Sequence, residues 1–163
     1  MDGVSEEEQL YSDLDWYATD RDGRIGQFLT GGAKLLPPLV ALDKNALNRL
    51  SEYFRALKEN GDSTFCPDFH RNFPAKHVAA DPKEHMPFSQ AMSRRGLYSY
   101  DSATGFESRC YIRVSLQGRP VKVADLPEDI RILIVGTRLE NISFKDDRVI
   151  PDALTREMSM LRA

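Results

Sequence analysis

The sequence predicts an α+β fold: an antiparallel sheet built from two hairpins, with amphipathic helices packed on one face. Three observations carry this expectation. Aromatic and β-branched runs flank Asp22-Gly23 near the N-terminus, and a second pair of runs at 97–101 and 107–116 is joined by Ser102-Ala103-Thr104-Gly105. Between them, residues 43–60 carry apolar side chains at helical spacing. Asp-Gly between apolar runs is the strongest local hairpin signal, and a 3.6-residue apolar period is the signature of a helix docked by one face.

The elements follow in order. Residues 1–12 are acidic and polar and read as a loose lead-in. In the first hairpin a two-residue turn pairs Tyr17 with Phe28 and Trp16 with Leu29, whereas a three-residue turn with Gly23 left-handed pairs Trp16 with Phe28. The two registers send the side chains to opposite faces, and the residues leave both open. Gly31-Gly32 and Pro37-Pro38 punctuate a connector. The helix that follows places Leu47, Leu50, Phe54 and Leu57 on one stripe, with Asp43 as its N-cap and Gly61 at C′.

Three prolines (Pro67, Pro74 and Pro82) make 62–82 a long loop, pinned by Phe65, Phe69 and Phe73. A short helix is expected from Lys83 to Arg95, ended by Gly96. In the second hairpin Cys110, Ile112, Val114 and Leu116 alternate with Arg109, Tyr111, Arg113 and Ser115, which predicts a strand with one wet face. Asp125-Leu126-Pro127-Glu128 resembles a capping box, so a helix is expected to about Leu139, although the β-branched run 131–135 also suits a strand. Ile142-Ser143-Phe144 reads as a last short strand and 151–163 as a tail.

Composition narrows the functional classes. The chain has 163 residues, which fits a single domain, 41% hydrophobic and 29% charged residues, and a net charge of −3. Arg94-Arg95 is the only adjacent basic pair, so the phosphate-neutralising patch of a nucleic-acid binder is not expected. The longest apolar stretch, Ile132 to Val135, is far short of a membrane span. Glu6-Glu7-Glu8 stands where a signal peptide would carry positive charge, and the two cysteines form no CxxC motif. A cytoplasmic location follows as the expectation.

Setting Gly23 at the sixth position of a calcium loop puts Ala18 and Leu29 where ligands belong, so a solvated turn fits better. Gly26 and Gly31 have the outer spacing of a phosphate loop, but Gly32 stands where its lysine should be. No cofactor motif is present.

Cys66, His70, His77 and His85 gather a thiol and every histidine, the donor set zinc prefers. Their spacings of 3, 6 and 7 match no short zinc motif, and surface histidines beside a buried thiol are the plainer reading. The same Cys66 with a nearby histidine is also the composition of a nucleophile–base pair. The remaining feature is aromatics clustered with acids: Trp16, Tyr17, Asp20 and Asp22 on the first hairpin, Tyr98, Tyr100 and Asp101 on the second. Aromatic anchors rimmed by acids suit a basic protein partner; self-association is left open.

The combination Asp15-Trp16-Tyr17-x-x-Asp20-x-x-Gly23, Gly96-Leu97-Tyr98-x-Tyr100-Asp101 and Asp125-Leu126-Pro127 resembles a group of small uncharacterised bacterial proteins. The likeness covers about half of the chain. Small acidic bacterial proteins of this kind are similar in style to immunity proteins, which neutralise a toxin by covering it. That resemblance implies a protein-binding module, with a metal-binding protein or metalloenzyme built on 66–85 as the alternative.

Overall fold

The first hairpin settles its register at the turn. In the computed structural model, which describes residues 2–32, 34–66, 87–102 and 109–158, β1 (Asp15–Asp20) pairs antiparallel with β2 (Ile25–Leu29), Trp16 opposite Phe28. The connection is the three-residue one: Asp20 N–H donates to Arg24 O at 3.0 Å and Gly23 takes φ +79°. Only the left-handed region closes this turn, which is why glycine stands there.

The second pair, β4 (Tyr98–Ser102) and β5 (Cys110–Gln117), is antiparallel as expected. The two hairpins nevertheless do not make an antiparallel sheet. β2 runs parallel to β4, with Gly26 beside Tyr98 and Leu29 beside Asp101. β1 likewise runs parallel to the two-residue β6 (Arg138–Leu139). Parallel neighbours need long crossovers, and helices supply this one: α2 (Pro38–Ala41), α3 (Lys44–Ala56) and α4 (Pro87–Arg94) lie between β2 and β4 in the chain. The sheet is therefore mixed, in the order β3 (Ser63–Phe65), β5, β4, β2, β1, β6, with β7 (Val149–Pro151) also on β5. β3 pairs with β5 inside a stretch that the prolines suggested was irregular.

Helices cover both faces of the sheet, not one. β1 alternates, sending Trp16 and Ala18 to a cluster with Phe28, Tyr100, Tyr111, Phe144, Leu36 and Val40. Tyr17 goes to the opposite cluster, with Ile25, Leu50, Phe54, Met92, Ile130 and Ile134. The second cluster is roofed by α3, α4 and α5 (Glu128–Val135). The expected wet face of β5 is consequently absent: Tyr111, Arg113 and Ser115 are all buried.

Several boundaries move for local reasons. The lead-in contains α1 (Glu6–Tyr11), capped by Ser5 Oγ accepting from Glu8 N at 3.2 Å, with three acids in its first turn. Asp43 caps α3 as expected, accepting from Ala46 N at 2.9 Å, but the helix stops at Ala56 well before Gly61. The 131–135 run is helical, and α5 ends at Val135. Asp125 belongs to a 3-10 turn instead, its Oδ2 accepting from Lys122 N. Residues 142–144 are not a strand, and the last described elements are β7 and α6 (Asp152–Arg156). No helix among the described residues is long and apolar enough to cross a membrane.

α4 ends in a Schellman motif: Leu97 N–H reaches Met92 O at 3.1 Å and Gly96 N–H reaches Ser93 O at 2.9 Å. Gly96 has φ +93°, and a Cβ there would lie 2.5 Å from Arg119 O, whereas a Cβ on Gly23 would meet nothing within 4 Å. Gly23→Ala is expected to cost about 1–2 kcal/mol for the left-handed backbone alone. Gly96→Ala should cost at least about 3 kcal/mol, because backbone must also move. Urea denaturation of both variants checks this; equal losses would contradict the packing described.

Candidate functional site

The aromatic and acidic residues expected to form a recognition face lie mostly inside. Trp16, Tyr17, Asp20, Tyr98 and Tyr100 are each at most 6% exposed. Burial on both faces forces their polar atoms to find internal partners. Trp16 Nε1–H donates to Tyr111 Oη at 3.2 Å, and Tyr17 O–H donates to Asp15 Oδ2 at 2.5 Å. Burial, reinforced by Asp15, holds the Tyr17 phenol well above its ordinary pKa, so it stays a donor. Tyr100 O–H donates to Asp147 O at 2.5 Å.

Asp20 is the busiest of them. Its Oδ1 accepts from the N–H groups of Asp22 and Arg24, and its Oδ2 from Phe144 N–H at 2.8 Å and Arg24 Nη1 at 3.3 Å. It thus ties the hairpin turn to the 142–147 segment. Asp22 is the most exposed of the predicted residues, its side chain 47% exposed, while Asp101 is half-buried. A 2.6 Å bond from Arg24 Nη1 holds it below the usual carboxylate range.

Asp101 sits at the far end of β4. Its Oδ1 accepts from Ser102 N–H at 2.7 Å. Burial pushes the Asp101 carboxyl up to about 7; Asp13 adds to the rise, while the Ser102 bonds and Lys34 oppose it.

The proposed thiol–imidazole set divides. Cys66 is buried and bonds through its N–H to Val114 O, while His70, His77 and His85 lie outside the described residues. Among the described residues, no three His, Cys, Asp or Glu side chains are grouped to hold a metal.

Large apolar side chains reach solvent elsewhere, at Leu10, Tyr11, Leu42 and Val149 and on α5. α5 turns Ile130 and Ile134 inward, yet Ile132 is 63% and Val135 47% exposed on its outer side. Gly136, the next residue, opens a cleft of about 100 Å³ walled by Leu139, Ile142, Leu154 and Met158. Arg138 lies on the same cleft and donates from Nη2 to Arg21 O at 3.1 Å, which brings the hairpin tip, with Asp22, alongside. The surface wraps round the β6 edge of the sheet. A helical wheel could have found it: Ile132 lies roughly 200° from Ile130, on the side the core does not use.

The chain matches no protein-family model, no curated protein and no solved structure.

The contrast between Asp20 and Asp22 can be measured. Asp20→Asn is expected to cost about 3 kcal/mol in urea denaturation, since it leaves buried donors facing an amide. Asp22→Ala should leave the unfolding midpoint where it is. Equal midpoints for the two variants would show that the Asp20 network is not structural.

Proposed function

We propose that this protein works by binding another protein, in the manner of an immunity-type inhibitor, and that it does so through the outer face of α5 and the adjoining cleft. The reading rests on one observation above all. Ile132 and Val135 are large apolar side chains left in solvent on a helix whose other apolar residues are core. Contiguous apolar surface with a polar border is where partners dock.

The charges around it favour a basic partner. Glu128 and Asp129 stand in the first turn of α5, and Glu140 and Glu157 lie on the cleft, with Arg131 and Arg138 interspersed. The whole chain carries −3. Acids at the rim raise the encounter rate with a basic surface and reject acidic ones, while the apolar centre sets the lifetime of the complex. The aromatics of the two hairpins hold this surface from behind by fixing the sheet against which α5 packs.

The test uses a photoreactive residue at position 132 and, as a control, at Tyr11, which is 84% exposed on the layer over the other face. Position 132 is expected to give a discrete adduct with one basic protein and position 11 none. The double variant Ile132→Glu/Val135→Glu should keep its thermal midpoint and bind that partner about 100-fold more weakly. Binding unchanged in the double variant would refute this surface. Association of the unaltered protein should slow as salt rises, in keeping with charge steering.

A further inference from the structure

At the end of the sheet away from the hairpin turn, one hydroxyl proton has two acceptors. Ser102 Oγ lies 3.2 Å from Thr30 O and 3.4 Å from Asp101 Oδ1. It can donate to only one at a time. Thr30 is the last residue before Gly31 and Gly32, which hold φ +63° and +67° in succession. The turn runs close to the serine and leaves no room for a side chain: a Cβ at Gly31 would stand 2.6 Å from Ser102 Oγ and 4.0 Å from Asp101 Oδ1. From the other side, Asp13 Oδ1 accepts the Gly31 N–H at 3.0 Å. The turn is thus held between two acids, and one of its ties depends on where the serine proton points.

We infer that the charge on Asp101 decides whether the Gly31–Gly32 turn stays pinned, making this turn a pH-operated hinge. With Asp101 protonated, Ser102 O–H donates to Thr30 O and Asp13 keeps the Gly31 amide. With Asp101 ionised, the carboxylate is the stronger, charge-assisted acceptor and draws the hydroxyl from Thr30 O. The new negative charge also faces Asp13 and pushes it away from its bond to Gly31. Both ties weaken together.

Among the described residues, the remaining charged or titratable groups around Asp101 are Lys34 beyond the turn and Tyr111 on β5. Lys34 Nζ is itself engaged, 2.8 Å from Asp152 Oδ1, 2.6 Å from Cys110 O and 4.5 Å from the Tyr111 ring centre. It is therefore not free to follow the new charge. The ties at the β1 side, Thr30 N–H to Leu14 O and Leu14 N–H to Thr30 Oγ1, do not involve Asp101 and serve as the fixed side of the hinge.

The sign follows from burial. A carboxyl whose folded value is raised contributes stability that is complete below its unfolded value near 4 and is lost as pH rises through about 7. The turn is pinned in mild acid and released above neutrality.

Nuclear magnetic resonance on the full chain tests this. The Asp101 side-chain carbon should titrate near neutrality. Protection of the Gly31 amide, corrected for intrinsic exchange, should fall about five- to tenfold between pH 5.5 and 8.5. Asp101→Asn should remove that pH dependence and keep Gly31 protected at both values. Ser102→Ala keeps the carboxyl but deletes the shared proton and with it the tie to Thr30 O, so the fall in Gly31 protection between the two pH values should be smaller than in the parent. A carboxyl titrating below about 5, or Gly31 equally protected at both pH values in the unaltered protein, would overturn the hinge. So would Ser102→Ala that matches the parent, which keeps the question decidable if Asp101→Asn does not fold.

Discussion

Phe28 stacks on Trp16 at 4.2 Å on one neighbouring strand and on Tyr100 at 5.1 Å on the other, while Tyr111 and Phe144 meet it edge-on at 5.2 and 5.8 Å. This cross-strand group spans antiparallel and parallel pairings alike, and it exists in one register only. A one-residue slip of β1 would carry Trp16 to the α3 side and bring Tyr17 under Phe28. Aromatic pairs of this geometry add roughly 0.5–1.5 kcal/mol each beyond the area they bury, so the register has several such terms behind it. Gly26 fits the same constraint, because a Cβ there would lie 2.8 Å from the Phe144 ring.

Covering both faces of such a sheet transfers the burden to its polar atoms. Arg113, 4% exposed, donates to the carbonyls of Phe144 and Lys145, and Tyr100 reaches Asp147 O. Asp20 accepts the Phe144 amide, and Arg21 N–H bonds to Ile142 O. The 142–147 segment, which belongs to no strand, therefore acts as the hydrogen-bonding partner of the sheet's buried polar groups. Its β-branched and aromatic residues resemble a strand in sequence because Ile142 and Phe144 are core, while its backbone is spent on side chains of other elements.

This explains what was legible from residues alone. Asp22-Gly23, the Leu47–Phe54 stripe with its Asp43 cap, and Gly96 closing a helix are local signals, and the structure has each of them. What escaped is non-local. Nothing between Trp16 and Tyr100 announces that β2 will run parallel to β4. Alternation in β5 suggested a wet face because Arg113 and Ser115 are polar, yet both are inside: Ser115 Oγ lies 2.5 Å from Ser93 Oγ. A polar residue opposite an apolar one reports solvent only when no second layer exists to receive it. The same holds for the aromatics: Trp16, Tyr98 and Tyr100 have the residue types of partner anchors, but each is at most 6% exposed.

Two carboxyls at opposite ends of the central hairpin show how donor supply separates a fixed point from an adjustable one. Asp20 receives four hydrogen bonds from two distant parts of the chain, so any change in it must break contacts on both sides at once. Among the described residues, Asp101 receives its bonds from Ser102, the next residue, and one of these is shared with Thr30. Burial without matching donors favours the neutral acid, which is the physical source of its raised titration. Because β2 and β4 run parallel, Leu29 and Asp101 fall at the same edge, and the glycine pair after β2 is delivered to the Asp101 carboxyl. The same topology puts the hairpin tip, Asp22 and the α5 cleft at the other end, so the rigid edge carries the proposed partner surface and the titratable edge carries the turn.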